Sequence, residues 1–136
     1  MVSAQLSVFA LRLLPGDDLK ASLDRLAQEQ NITAACLLTC AGSLSQAELR
    51  FAGNSEPTLV KGPLEICSLT GMLSPDGSHL HLSVADRDGR TSGGHIKDGC
   101  IVLTTAEIVV GILPGIRFGR EFVMATGYRE LQITLC

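Results

Sequence analysis

The chain has 136 residues, of which 46% are hydrophobic, and this is enough apolar material for one packed core and a single domain over residues 1–136. Its 11 Lys and Arg residues against 14 Asp and Glu give a net charge of -3, so no overall positive field attracts phosphate backbones. Four Phe, one Tyr and no Trp leave little surface on which bases could stack. Direct binding to DNA is therefore not expected.

The amino-terminal segment Gln5–Leu14 is dominated by Leu, Val, Phe and Ala and predicts a β-strand. It is not typical of a signal peptide, because Arg12 interrupts it and no basic region precedes it. No run approaches the roughly 18 apolar residues of a membrane span. We therefore expect an intracellular, cytoplasmic protein without membrane contact. The five cysteines form no CxxC pair, and we expect most of them to be small buried side chains in a reducing compartment.

One amphipathic helix is predicted after the turn "PGDD". Leu19, Leu23 and Leu26 recur at four- and three-residue spacing across "DLKASLDRLAQEQ", with charged residues between them. One stripe of this helix should face a core and the remainder should face water.

The other segments read as β-strands joined by short turns. "NITAACLLTCAG" predicts a buried strand that stops at Gly42, and "AELRFA" with "TLVKGP" predicts a hairpin around "GNSEP". "LEICSLTGML" and "HLHLSVAD" flank the turn "SPDG", and "CIVLTTAEIVVGIL", the most β-branched run, should be a central strand. After "PGIRFG", the tail "EFVMATGYRELQITL" is a candidate for further strand, and "GYRELQI" is the part that fits a strand best. These elements predict an α+β fold with a largely antiparallel sheet.

All three histidines of the chain lie in "HLHLSVADRDGRTSGGH". Residues two apart on a strand point to the same face, roughly 6.5–7 Å apart, so His79 and His81 should project together. His95 follows fourteen residues after His81, and Gly93 and Gly94 permit the close backbone approach that its return to the strand requires.

Three neutral imidazoles suit Zn²⁺ at about 2.0–2.1 Å and leave a fourth position for water or substrate. The alternative is that the three histidines line a polar sheet face or a subunit contact, hydrogen-bonded and without metal. The sequence pattern by itself leaves both interpretations open.

Two further side chains are candidates for a role beside the histidines. Glu107 lies in an apolar β run, where a carboxylate is costly to bury, and it could accept a histidine N–H or act as a general base. It could equally point to solvent or pair with an arginine, and Glu65 poses the same choice. Arg117 and Arg120 in "GIRFGRE" could bind an anion or form a solvated surface.

Several motifs in fixed order resemble the PPC (plant and prokaryote conserved) domain family. They are Gly62 with Glu65 and Ile66, the stretch Ser68-Leu69-Thr70-Gly71, His79 with His81, Gly93-Gly94-His95, and Ala106-Glu107. The amino-terminal strand, the "PGDDL" turn and the helix also fit, so that the resemblance extends to about Ile133.

The resemblance implies an α+β subunit that assembles into a homotrimer. Prokaryotic members of the family carry the three histidines and are similar in fold to acetolactate decarboxylase, a zinc enzyme with a three-histidine site. Plant members bind AT-rich DNA through an AT-hook that precedes the domain, and use the domain for trimerisation and contacts with transcription factors. This sequence contains no Arg-Gly-Arg-Pro hook, so their DNA binding does not carry over.

Two functions follow from the sequence and its resemblance. The first is a trimeric assembly or regulatory module, with possible protein partners, in which zinc is structural or senses a ligand. The alternative is a zinc-dependent enzyme acting on a small anionic molecule, with His79, His81 and His95 on Zn²⁺, Glu107 as base, and Arg117 orienting the substrate. An ion with an exchangeable position in a concave pocket would favour the enzyme.

Overall fold

A computed structural model describes residues 5–136 and contains one helix and eight strands in this part of the chain. Residues 1–4, which the single-domain prediction includes, lie outside the described residues. The elements are β1 Ser7–Leu13, α1 Leu19–Glu29, β2 Ala35–Arg50, β3 Thr58–Leu73, β4 His79–Ala85, β5 Thr91–Ile96, β6 Ile101–Ile112, β7 Ile116–Val123 and β8 Tyr128–Leu135.

The main sheet has six strands in the order β1-β6-β2-β3-β4-β5, and every pairing is antiparallel. The most β-branched segment, β6, lies between β1 and β2, which confirms its prediction as a central strand. The far end of β2 also pairs with β5, through Leu49–Ile96 and Arg50–His95. Strands β2 to β5 therefore close on themselves, and this closure brings the end of β2 beside the histidine-bearing strands. The predicted α+β class with an antiparallel sheet is confirmed.

The predicted strand end at Gly42 is wrong, because β2 runs unbroken from Ala35 to Arg50. A Cβ on Gly42 would overlap the carbonyl oxygen of Thr105 on the neighbouring β6. The glycine thus serves a close approach between two paired strands, and it does not mark a turn. The ladder between β2 and β6 shifts its register on either side of Leu44, which bends this long strand.

The helix packs against the sheet with the predicted stripe. Asp18 caps its first turn by accepting a hydrogen bond from the Ala21 N–H at 3.1 Å, and its other carboxylate oxygen accepts one from Gly99 N–H at 2.6 Å. Leu19 and Leu23 are fully buried, whereas Leu26 lies at the edge of the core. The side chains that fill the core most completely are Leu19, Leu23, Leu44, Leu49, Leu73, Leu80, Leu82, Val84, Ile96, Val102, Ile108 and Val110.

The tail forms a separate two-stranded sheet from β7 and β8. The strand predicted in "GYRELQI" is present, and β7 begins at Ile116, earlier in the chain than predicted. Ile116 and Phe118 are buried with Ala34 in a second small core, which fixes the hairpin to the start of β2. Within the described residues, no helix has the length and apolarity needed to cross a membrane.

The cysteines divide into two kinds, so the prediction that most are buried is wrong. Cys40 and Cys100 are buried, Cys36 is partly buried, and Cys67 and Cys136 are exposed, all as free thiols. Burial raises the pKa of Cys40 and of Cys100 to about 11 in each case.

We expect a thiol reagent at pH 8 to modify Cys67 and Cys136 much faster than Cys40 and Cys100. The reacting species is the thiolate, and a pKa raised by two units reduces its population about 100-fold, before any effect of access. Timed labelling followed by peptide mass spectrometry measures the four rates. In guanidinium the four rates should converge, and rapid native labelling of Cys40 would contradict the described burial.

Candidate metal centre

The strand β4 projects His79 and His81 from one face, as the two-residue spacing predicted. The intervening Leu80, and Leu82 after it, are buried on the opposite face in the core. Both histidines are exposed to solvent. Burial of the two leucines therefore fixes the direction in which the two imidazoles point.

His95 joins them because β5 pairs back along β4 with His95 directly opposite His81. The turn between the strands is held by Asp86, whose Oδ1 accepts hydrogen bonds from the N–H groups of Asp88 and Arg90 at 2.9 Å each. A Cβ on Gly94 would lie 2.7 Å from the carbonyl oxygen of Arg50. This contact confirms that the Gly-Gly pair permits a close backbone approach, although the strand approached is β2.

The three imidazoles meet in one cluster. Each can offer a nitrogen such that all three atoms lie within 4.8 Å of one another, and the ring centroids are 5.1, 5.3 and 5.8 Å apart. Tetrahedral zinc ligands at 2.0–2.1 Å require nitrogen separations of about 3.3 Å. The nitrogens would therefore have to approach one another by at most about 1.5 Å to hold a zinc ion.

The chemistry of the cluster fits a metal ion. Nδ1 of His95 is buried and has no hydrogen-bond partner in the described part of the chain, which is costly for a polar atom unless something else satisfies it. Burial, assisted by Lys97 and His79, lowers the pKa of His95 to about 4. Desolvation, the Arg120 guanidinium and His81 likewise lower the pKa of His79, against a smaller opposing effect of Glu130. Both shifts favour the neutral imidazole, which is the form that binds metals.

A cavity of about 400 Å³ opens beside the cluster, with His79 and His95 in its wall. The other side chains around it come from the end of β2, the β3–β4 turn and the tail hairpin, and they are Arg50, Asp76, Ser78, Arg120, Tyr128, Arg129 and Glu130. A second cavity, of about 520 Å³, lies on the side of His81 and is lined by Ser68 and Thr70 of β3. The histidines are therefore accessible from two sides.

The structure does not bring Glu107 to the histidines within one chain. Glu107 lies opposite Ala41 on β2, whereas His95 lies opposite Arg50, nine residues further along the same strand or roughly 30 Å of extended chain. Glu107 is exposed and faces Arg12 across the β1–β6 ladder, which is the alternative that the sequence left open. Glu65 is exposed on β3 as well.

Arg117 does not line the cavity that contains the histidines. It lines two other cavities, one of which it shares with Arg120. The cavity beside His79 instead contains Arg120, three residues later, together with Arg50 and Glu130. The sequence pointed to Arg120 only as a neighbour of Arg117. Phe118, between them, is buried. Arg120 is two residues from Phe118 on the same strand and therefore points in the same direction, whereas Arg117, next to Phe118, does not. The burial of Phe118 could have distinguished the two arginines.

The protein is therefore an antiparallel α+β domain in which three histidines lie together where strands β2 to β5 close on themselves. Residues 2–114 match the model of the Plants and Prokaryotes Conserved (PCC) domain. The chain belongs to this family, and the prediction from its motifs is confirmed.

Known proteins of similar sequence and structure extend this result. The chain is 52% identical over 131 residues to the bifunctional protein GlmU of Synechococcus sp. (strain JA-3-3Ab), an alignment that covers 96% of this chain and 21% of that protein. It thus spans about a fifth of the length of such curated relatives. A hypothetical protein from Salmonella cholerae-suis superposes with a TM-score of 0.96 at 40% identity, over 98% of this chain and 97% of that one.

Two more distant structures bear on the metal centre and the fold. The metal-containing protein AF0104 from Archaeoglobus fulgidus has a TM-score of 0.78 and 26% identity, covering 97% of this chain and 99% of its own. A Staphylococcus aureus protein of unknown function, similar to alpha-acetolactate decarboxylase, has a TM-score of 0.51 and 12% identity, covering 83% and 54%. The second likeness concerns the fold alone.

Proposed function

We propose that this PPC-domain chain is the subunit of a homotrimeric assembly or regulatory module in which His79, His81 and His95 hold one Zn²⁺. The observation that carries the proposal is the convergence of three imidazole nitrogens within 4.8 Å. The buried, unpartnered Nδ1 of His95 supports it, because a metal ion bound at that nitrogen would satisfy it. When bound, zinc would act as a Lewis acid held by three imidazole nitrogens.

The donor set favours zinc over the hard cations. Three neutral imidazoles suit Zn²⁺, whereas Mg²⁺ and Ca²⁺ prefer oxygen ligands, and no carboxylate joins the cluster among the described residues. The archaeal protein of similar fold is described as metal-containing, which agrees with a metal in this chain.

Metal analysis tests the proposal directly. Protein purified without a nickel column and dialysed against metal-free buffer should contain close to one zinc per chain by plasma mass spectrometry. Chelation should remove the zinc, and added Zn²⁺ should restore it. Protein that contains no transition metal and binds none at neutral pH would contradict the proposal.

We expect a solution mass of three chains of 14.4 kDa each by size-exclusion chromatography with light scattering. The support beyond the family resemblance is the unburied apolar surface of the single chain. Phe122, Met124 and Leu135 of the tail are 65%, 89% and 70% exposed, and Val8 on β1 is 54% exposed. Such side chains favour burial against further copies. A monomeric mass at micromolar concentration would overturn the trimer.

The same proposal excludes direct DNA binding. The net charge is -3, and the arginines nearest the histidines lie in a cavity and not along an exposed groove. Fluorescence anisotropy with an AT-rich duplex at physiological salt should show no binding. A tight interaction whose affinity falls steeply with salt would contradict this expectation.

A zinc-dependent enzyme acting on a small anionic molecule is the second candidate, and the cavity beside His79 is the observation that favours it. A volume of about 400 Å³ is within the range for small-molecule sites, and the cavity contains titratable side chains at the histidine cluster. The two functions differ in whether the metal exchanges water. Water-proton relaxation with Co²⁺ in place of Zn²⁺ should be enhanced if a coordination position is open, and unchanged if the ion is fully enclosed.

A further inference from the structure

The cavity beside His79 contains two half-buried guanidinium groups that no carboxylate neutralises. Arg50 and Arg120 both line it. The ion pairs found among residues 5–136 involve Lys20 and Arg90 and neither of these arginines. Arg50 donates one hydrogen bond, from Nη1 to the Asn54 carbonyl at 3.1 Å. Most of the ten N–H donors of the two groups thus remain available to a ligand.

Both arginines are positioned by backbone contacts. Arg50 lies directly opposite His95 in the β2–β5 pairing, so it flanks the cluster on the side away from His81. The backbone N–H of Arg120 donates to Asp76 Oδ2 at 3.0 Å, and its carbonyl accepts a hydrogen bond from Arg129 Nη2 at 2.7 Å. The β3–β4 turn and β8 therefore both hold the tail hairpin with Arg120 at the mouth of the cavity.

The charge of the cavity is positive even without a metal. Arg50, Arg120 and Arg129 outnumber the two acids, Asp76 and Glu130. A divalent ion on the histidines would add two further positive charges. A cation as ligand is therefore disfavoured, and a small anion is the complementary occupant.

We propose that this cavity binds a small molecule with a carboxylate or phosphate group, and that Arg50 and Arg120 hold its oxygen atoms beside the metal centre. The inference rests on the proposed function, since the metal forms one wall of the site. The planar guanidinium fork matches the oxygen spacing of both anions and allows two parallel hydrogen bonds. The cavity volume of about 400 Å³ is in the range of small-molecule sites.

The test compares substitution of the two cavity arginines, Arg50 and Arg120, with substitution of Arg117, which is on the same strand as Arg120. Zinc-loaded protein is titrated with malonate and with inorganic phosphate at constant ionic strength, by calorimetry and by the shift in melting temperature. Arg120→Gln and Arg50→Gln should each weaken binding of the preferred probe about tenfold or more, because each removes a charged hydrogen bond. Arg117→Gln, at an arginine that does not line the cavity beside His79, should change the affinity less than twofold. Tighter binding of malonate would indicate a carboxylate ligand, and tighter binding of phosphate would indicate a phosphate ligand.

The metal content of each sample separates the two possible failures. Zinc-loaded protein that binds neither probe, or whose affinity is unchanged by Arg120→Gln and Arg50→Gln, overturns the anion site and leaves the metal centre intact. A wild-type sample that takes up no metal overturns the proposed function and the anion site with it. Equal weakening by Arg117→Gln would show a general charge effect, which also overturns the site.

Discussion

Replacing His95 with alanine is expected to weaken zinc binding more than about 100-fold and to remove most of the stabilisation that zinc provides. Loss of a residue that only orients a ligand typically weakens metal binding 10- to 100-fold, so loss of a ligand should cost more than about 100-fold. With free zinc 1,000-fold above the wild-type Kd, the wild-type free energy of unfolding should rise by about 4 kcal/mol, and that of a variant that binds more than about 100-fold more weakly should rise by less than about 1.4 kcal/mol. Metal content and guanidinium unfolding with and without zinc measure both effects.

A second variant and a matched control keep this prediction independent of misfolding. His81 is exposed, so His81→Ala should fold normally and still lose zinc. Thr70 lies directly opposite His81 in the β3–β4 pairing but offers no imidazole, and Thr70→Val should retain the metal. Full zinc content in both histidine variants would show that the ion, if present, is held elsewhere.

The histidine cluster was predictable because its geometry is local. His79 and His81 share a face because they are two residues apart on one strand. The fourteen residues from His81 to His95 are enough for the chain to turn and pair back, and the two histidines do lie opposite each other in the β4–β5 ladder. The sequence could not show that the end of β2 also pairs with β5. That closure places Arg50 beside His95, and it depends on residues 45 positions apart finding the same register.

The other candidate site residues lie away from the histidines within one chain, for a related reason. Glu107 was attractive as an acid in an apolar strand, but β6 pairs with the part of β2 far from the histidines. The acids that share the cavity with His79 are Asp76, in the β3–β4 turn, and Glu130, on the tail hairpin. The docking of this hairpin depends on buried contacts of Ile116 and Phe118. Composition and periodicity specify which face a residue takes, but they do not specify where a hairpin docks.

The structure explains why a glycine is needed at one position of the family motifs. Gly71, at the end of the Ser68-Leu69-Thr70-Gly71 stretch, has φ of +136° and lies opposite Leu80 in the β3–β4 ladder. A Cβ there would overlap the carbonyl oxygen of His79 and lie 2.9 Å from its carbonyl carbon. The motif therefore links the packing of β3 to the position of the first histidine.

Gly71→Ala is accordingly expected to lower the free energy of unfolding by about 3 kcal/mol or more, since it combines a backbone collision with a strained φ. Because relief requires β4 to move at His79, zinc affinity should fall as well, even though no ligand is removed. Gly119→Ala is the matched control: the nearest atom to its Cβ is Asp76 Oδ2 at 3.6 Å, and its stability should change by less than about 0.5 kcal/mol. Guanidinium unfolding and zinc titration of both variants provide the comparison. A Gly71→Ala protein with wild-type stability and zinc affinity would show that β3 does not constrain His79, and the motif glycine would then need another explanation.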